Sequence, residues 1–141
     1  MNAAARPTVT LEDFEAGRLD PEAFDHEAHV YVAWLYLDRF PLIEAIQRYS
    51  AALRCLTADL GVPEKYNETI TWFYLVLIAE RRQTARSHGW CAFRAENGDL
   101  FHGAQTLARY YSKARLTSDQ ARQAFLLPDR LSERPTLRTG R

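Results

Sequence analysis

One stretch of the chain, residues 70–79, carries no charged side chain and is apolar on nearly all sides when read as a helix. Such a helix needs other elements around it, because its apolar surface would otherwise meet water. It is far shorter than the ~20 residues that a membrane-spanning helix requires. A second apolar run, at residues 30–37, is similarly short. The two runs therefore predict the core of a helical bundle and no membrane partner.

Residues that start and stop helices divide the rest of the chain. Thr10 and Ser118 are N-cap types, Pro41 ends a helix, and Gly61 suits the position just after one. Near Asp25 we expect an interruption in the second helix. The apolar spacing predicts helices at residues 11–16, 21–39, 42–60, a segment from 63–67 to 82–86, 100–115 and 119–126.

The predicted fold class is all-α, a compact single-domain bundle of about five to six helices. The helical domain covers residues 10–128. Residues 1–9 are expected to be disordered or to form a strap, and residues 129–141 form a tail that contains arginine and proline. No segment shows the apolar alternation that is typical of a strand.

Composition narrows the classes of partner and the cellular location. The chain has 141 residues and a formal net charge of +0, so it has no basic field to attract nucleic acid. Cys55 and Cys91 form no CxxC motif, and the first residues lack the apolar stretch of a signal peptide. We therefore expect a cytoplasmic protein that binds no nucleic acid. The expected partner is a small-molecule ligand, an expectation that depends on the histidine and aromatic residues described below. The sequence defines no oligomeric state.

His26 and His29 stand at the start of the predicted helix that contains the run at residues 30–37. Their spacing places both rings on one helix face, together with the small side chain of Ala33. The helix dipole at this end and burial both favour neutral imidazole, the form that serves as a general base or a metal ligand. The spacing is three residues, whereas the zinc-protease motif has its histidines four apart.

Three interpretations of this histidine pair remain open. The rings can be structural, capping backbone groups or bonding to a neighbouring carboxylate. They can form a metal-free acid–base or binding site. They can also be metal ligands, although zinc takes three or four ligands and the pair supplies two.

A second polar stripe lies at the start of the predicted fourth helix. Asn67 and Thr71 are one turn apart and share a face with Tyr74 and Ile78. If the two apolar helices pack together, this stripe faces the histidines, where Asn67 and Thr71 would orient a ligand or fix a tautomer. The alternative is local: Asn67 caps its helix and Thr71 bonds back to its own backbone.

Aromatic side chains are numerous, and they admit two interpretations. They can line a small-molecule pocket, or they can simply build the core, which is their commoner role. The set comprises Tyr31, Trp34, Tyr36, Trp72, Phe73, Tyr74, Trp90 and Phe93.

Three motifs in chain order resemble those of a small, all-helical, largely bacterial family without a characterised function. The first is FxHxxHVxxA, which begins at Phe24 and includes both histidines. The second is YHxTxT, which this chain matches at Tyr66, Thr69 and Thr71. The third is a Tyr-Tyr-Ser motif with the Leu, Ser, Ala-Arg, Phe and Pro-Asp that follow it, here Tyr110, Tyr111, Ser112, Leu116, Ser118, Ala121, Arg122, Phe125, Pro128 and Asp129.

The resemblance implies that His26, His29 and the start of the fourth helix belong to one site, and it implies no substrate. This chain departs from the second motif at Asn67, where the family pattern has histidine. A histidine there would complete a three-histidine metal site, and asparagine is a weak ligand for zinc or iron. The departure weakens the hypothesis that a divalent metal is the cofactor.

The leading functional hypothesis is a small cytoplasmic helical enzyme that acts on a small organic molecule. His26 and His29 would be its general base or ligands, with Asn67 and Thr71 positioning the substrate. The alternatives are a non-catalytic module that binds a small molecule or a protein, and a metal-binding helical protein with His26 and His29 as ligands.

Overall fold

The computed structural model describes residues 7–85 and 88–130, and within these ranges the fold is all-α, with eight α-helices and no strand. The α-helices are α1 (Leu11–Ala16), α2 (His26–Arg39), α3 (Leu42–Asp59), α4 (Glu68–Gln83), α5 (Trp90–Glu96), α6 (Gly103–Ala108), α7 (Lys113–Leu116) and α8 (Asp119–Gln123). Short 3₁₀ helices lie at Pro21–Ala23, Pro63–Lys65 and Gly98–Phe101. The all-α prediction is confirmed, and the expected count of five to six helices was too low.

Helices α2, α3 and α4 pack against one another and enclose the core. In α4, Leu75 and Ile78 are fully buried, and Val76 is 44% exposed. The prediction that residues 70–79 form a helix buried on most sides is therefore confirmed. Each fully buried leucine or isoleucine side chain contributes roughly 1.5–3 kcal/mol through removal of its surface from water.

The interruption predicted near Asp25 is present. A 3₁₀ turn ends at Ala23, and α2 begins at His26 with Asp25 as its N-cap. The Asp25 carboxylate accepts a hydrogen bond from the Ala28 backbone N–H at 2.9 Å. Such a cap satisfies a helix N–H group that has no partner within the helix. It therefore fixes where α2 starts, and both histidines lie in its first turns.

The predicted single helix at residues 100–115 is wrong. The segment instead forms the 3₁₀ helix Gly98–Phe101, then α6, then α7 after a break at Tyr110–Ser112. Tertiary contacts break the helix, because the Leu100 carbonyl accepts a hydrogen bond from His26 and Ser112 donates to the Asp129 carboxylate. Propensity along one helix is a weak preference that such contacts override.

The last helix ends at Gln123 and does not extend to residue 126. From Ala124 the backbone is extended, and residues 124–130, here called the C-terminal strap, cross α4. The Thr69 hydroxyl donates to the Ala124 carbonyl at 2.8 Å and accepts from the Leu126 N–H at 3.1 Å. Two hydrogen bonds to one buried hydroxyl thus draw the chain out of the helical conformation.

Part of the predicted tail, residues 129–141, is ordered against the bundle. Both carboxylate oxygens of Asp129 accept hydrogen bonds from Ser112, and the Arg130 N–H donates to the Tyr110 carbonyl. The remainder of that tail, residues 131–141, and most of the predicted N-terminal segment lie outside the described residues.

Two further expectations concern cysteines and membranes. Cys55 and Cys91 are both exposed, and no disulfide joins them. In the part of the chain that the structure describes, none of the helices combines the length and the apolar character that crossing a bilayer demands.

We predict that Thr69→Val destabilises the fold by about 1–3 kcal/mol, because it leaves the Ala124 carbonyl and the Leu126 N–H without partners. The measurement is urea denaturation followed by circular dichroism. Thr57→Val is the matched control, since the Thr57 hydroxyl donates only to carbonyls of its own helix. The control should change stability by less than about 0.5 kcal/mol. Equal losses in the two variants would contradict the assigned role of Thr69.

Candidate functional site

A cavity of about 290 Å³ lies between α2, α3 and α4. Its size is close to the lower limit for small-molecule pockets, about 300 Å³. Among the residues that the structure describes, no Asp, Glu, Lys or Arg side chain lines it. The lining residues are His26, His29, Val30, Ala33, Tyr49, Leu53, Ile70, Thr71 and Tyr74. Both histidines predicted from the sequence therefore meet Thr71 of the second polar stripe at one cavity.

His26 is oriented by the segment that follows α5. Its Nε2 lies 2.9 Å from the Leu100 carbonyl oxygen. A carbonyl only accepts hydrogen bonds, so Nε2 carries the proton, and in the neutral ring Nδ1 carries the lone pair. The ring also meets the Tyr74 ring edge-on, with centroids 5.4 Å apart. No described residue bonds to Nδ1, which leaves a basic nitrogen on a partly exposed ring.

His29 has the opposite tautomer. Its Nδ1 lies 2.8 Å from the Asp25 carbonyl oxygen, one turn earlier in the chain, so Nδ1 carries the proton. The remaining lone pair is on Nε2, to which no described residue bonds. The ring stacks on Phe24 with centroids 3.9 Å apart. Stacking and the hydrogen bond together fix the plane of the ring.

Burial lowers the pKa of His29 below its ordinary value of 6.5. The hydrogen bond to the Asp25 carbonyl acts in the opposite direction, and the positive charge of a protonated His26 lowers the pKa further. The balance keeps His29 neutral at pH 7, because desolvation penalises the charged imidazolium. For His29 this agrees with the expectation from burial.

The three hydroxyl groups of the lining are already engaged. Tyr49 donates to the His29 carbonyl at 3.3 Å, and Tyr74 donates to the Gly103 carbonyl at 3.1 Å. Burial raises the pKa of Tyr74 to about 12, helped by the negative charge of Asp99, and it also raises the pKa of Tyr49. Both phenols are therefore neutral near pH 7, and each has its one proton directed at backbone.

Thr71 and Asn67 occupy different positions. Thr71 lines the cavity, but its hydroxyl donates to the Asn67 carbonyl at 2.8 Å. Asn67 is outside the lining: it caps α4 by accepting from the Ile70 N–H, and its amide donates to the Leu116 carbonyl at 2.9 Å. The bonds of Thr71 to Asn67 and of Asn67 to Ile70 are the local ones weighed for the polar stripe, whereas the bond to Leu116 is a tertiary contact. Asn67 acts on the cavity only by fixing the start of α4.

The described residues do not fit a metal centre. Within residues 7–85 and 88–130, no group of three or more His, Cys, Asp or Glu side chains is placed to hold an ion. His26 and His29 offer one lone pair each, and structural or catalytic zinc takes at least three protein ligands. Asn67, the position at which the family pattern has histidine, is engaged in capping.

A larger depression of about 450 Å³ lies beside α1 and the start of α2. Its acidic side chains already have structural partners. Asp13 pairs with Arg18 at 3.0 Å, and Asp20 and Asp25 accept from backbone N–H groups of the turns that they cap. The candidate site is therefore the smaller cavity, where basic nitrogens remain without partners.

Sequence reasoning did not place Tyr49, Leu53 and Gly103 at the site. Tyr49 and Leu53 belong to the apolar face of α3, which indicates core and gives no sign of a cavity. Gly103 packs so closely on His26 that an added Cβ would lie 3.2 Å from the ring Cε1 and Nε2. No local signal marks this contact, because it joins residues far apart in the chain.

No protein-family model matches the chain, and the comparisons with curated proteins and with solved structures found no match. The resemblance to an all-helical, largely bacterial family stays a prediction from its three motifs. The site's own geometry consequently carries the functional argument.

We predict that His26 and His29 are opposite tautomers, with the proton on Nε2 in His26 and on Nδ1 in His29. Long-range ¹H–¹⁵N correlation spectra of the side chains distinguish the two forms directly. The exposed His102 serves as the internal reference for a solvated ring. Spectra in which both cavity histidines share one tautomer would refute the assigned hydrogen bonds.

We predict that stability falls as the pH drops below about 6.5 and that His29 is one cause. The folded state holds His29 neutral, so the unfolded chain binds more protons in this pH range. The additional protons lower the free energy of the unfolded state relative to that of the folded state. Urea denaturation between about pH 7 and pH 5 measures the slope. His29→Asn, which retains a donor for the Asp25 carbonyl, should flatten the slope, whereas His102→Gln should not. An unchanged slope in His29→Asn would contradict the burial argument.

Proposed function

We propose that this protein is a small helical enzyme that acts on a small organic molecule, with a neutral imidazole in the cavity as general base. One observation carries the proposal: His26 and His29 line the same cavity, and each has one nitrogen tied to a backbone carbonyl. In the neutral form of each ring the other nitrogen carries a lone pair, and it has no partner among the described residues.

The arrangement supports proton abstraction for two reasons. A base must be unprotonated at the working pH, and burial lowers the pKa of His29 so that this condition holds near pH 7. A base also needs a fixed orientation, which the Asp25 and Leu100 carbonyls supply for the two rings. A well-placed general base contributes roughly 10²–10⁴-fold to a rate.

The proposed roles of the neighbours are positional. Thr71, Tyr49 and Tyr74 shape the cavity while their protons remain on backbone carbonyls. Asn67 holds the start of α4 against α7. We place the enzyme in the cytoplasm, a setting that suits its two exposed cysteines.

The second candidate function is non-catalytic binding of a small molecule. The apolar character of the lining favours it, since Val30, Ala33, Leu53 and Ile70 provide contact area and no chemistry. This candidate requires that a ligand bind in the cavity and leave unchanged. The two candidates therefore differ in turnover.

Nitrobenzisoxazole is a probe that tests for the base directly. It is neutral and bicyclic, and its ring opens when a base removes the proton from carbon. The C–H bond breaks, its electron pair forms the nitrile, the N–O bond breaks, and a coloured phenolate is released. We expect the protein to open it about 10²-fold faster than free imidazole at equal concentration.

Matched variants assign the base. His29→Asn and His26→Gln each retain a donor for the backbone carbonyl and remove the unprotonated ring nitrogen. We expect at least one of them to lower the rate about tenfold or more while the circular dichroism spectrum is unchanged. His102→Gln, at an exposed position, should react like the wild type. If the wild type is no faster than imidazole, or if neither cavity variant slows it, the catalytic proposal is wrong.

A further inference from the structure

We infer that this cavity selects an uncharged one- or two-ring molecule that carries a hydrogen-bond donor, such as a phenol or an azole. The inference concerns the substrate class of the site proposed above and in that sense rests on the proposed function. It depends on how the polar groups of the lining are already used, and it holds whether or not the bound molecule is turned over.

Every polar side chain of the lining donates its proton to a backbone carbonyl. The imidazoles donate to Leu100 and Asp25, and the three hydroxyl groups donate to His29, Asn67 and Gly103. A neutral imidazole and a hydroxyl have one polar hydrogen each. The lining side chains therefore have no donor left for a ligand. They retain only lone pairs, of which those on the two imidazoles are the most basic.

This distribution excludes the ligands that most protein pockets bind through donors. A carboxylate or phosphate would leave water and meet neither a cation nor an N–H or O–H from these side chains. Burial of an unpaired anion is strongly unfavourable. Burial of a carbonyl or ether oxygen without a hydrogen-bond donor also weakens binding. A molecule with an O–H or N–H instead gains a hydrogen bond to His26 Nδ1 or His29 Nε2.

The shape of the cavity limits the rest of the molecule. Its volume of about 290 Å³ compares with about 150 Å³ for an apolar cavity that binds benzene. One or two rings fill such a space. The walls combine aliphatic side chains with the Tyr49 and Tyr74 rings, which favour an aromatic or otherwise apolar body.

The segment from Leu100 to Gly103 keeps the donors engaged. Its carbonyls at Leu100 and Gly103 accept from His26 and Tyr74, respectively. Gly103 also packs against the His26 ring, where an added Cβ would lie 3.2 Å from Nε2. The hydrogen bond to the Leu100 carbonyl therefore holds the His26 N–H on the backbone and away from a ligand.

The test compares three ligands of one ring system near pH 7: naphthol, its methyl ether and naphthoate. Titration of the wild-type protein by calorimetry gives their dissociation constants. We expect naphthol to bind about tenfold tighter than the ether, because only naphthol can donate a hydrogen bond to the imidazole. We expect naphthoate to show no saturable binding.

Variants then assign the acceptor. One of the two variants, His29→Asn or His26→Gln, should lower the preference for naphthol over its ether severalfold, because the basic ring nitrogen is replaced by an amide oxygen that is a weaker acceptor at a different position. His102→Gln should keep the preference. The ligand comparison on the wild type alone remains decisive if a cavity variant fails to fold.

The outcomes separate this inference from the proposed function. If the ether or naphthoate binds as tightly as naphthol, or if naphthol does not bind, the inferred ligand class is wrong. Opening of nitrobenzisoxazole would still support the enzyme in that case. If nitrobenzisoxazole is not opened and naphthol is still preferred, catalysis is refuted and the inferred ligand class stands.

Discussion

The burial of α4 is the constraint on which the rest of the structure depends. Helices α2 and α3 cover most of its surface, and the C-terminal strap covers part of the remainder through Thr69. Asn67 fixes its start by capping it and by binding the Leu116 carbonyl. Because the position of α4 is set in this way, Thr71 and Tyr74 face the two histidines of α2 across one cavity.

The hydrogen bonds that hold this arrangement also determine the chemistry of the cavity. Each polar side chain of the lining stabilises a backbone carbonyl, and in doing so it gives up its only donor. The two imidazoles thereby become oriented acceptors in an apolar space, whose described lining contains no Asp, Glu, Lys or Arg side chain. Fold stability and the proposed reactivity consequently share the same contacts, so the matched variants are chosen to retain the backbone bond and remove only the free nitrogen.

Much of the fold was predictable because its signals are local. Thr10 and Ser118 cap helices where their side-chain chemistry indicates, the interruption expected near Asp25 is present, and the apolar run at residues 70–79 is buried as its composition requires. The single helix expected at residues 100–115 was wrong because contacts with distant residues compete with helix propensity there. The pairing of His26 with Leu100 spans 74 positions in the chain, and no local pattern encodes it.

The sequence by itself determined the starts of α1, α3 and α8, the apolar helices of the core and the position of both histidines on one face of α2. These follow from side-chain chemistry and from the 3.6-residue period of the helix. Only the tertiary structure decided which nitrogen of each ring is protonated, that Thr71 and not Asn67 lines the cavity, and that no lining side chain keeps a free donor. Each of these depends on which backbone carbonyl comes within hydrogen-bond distance, and that distance is set by packing of segments remote in sequence.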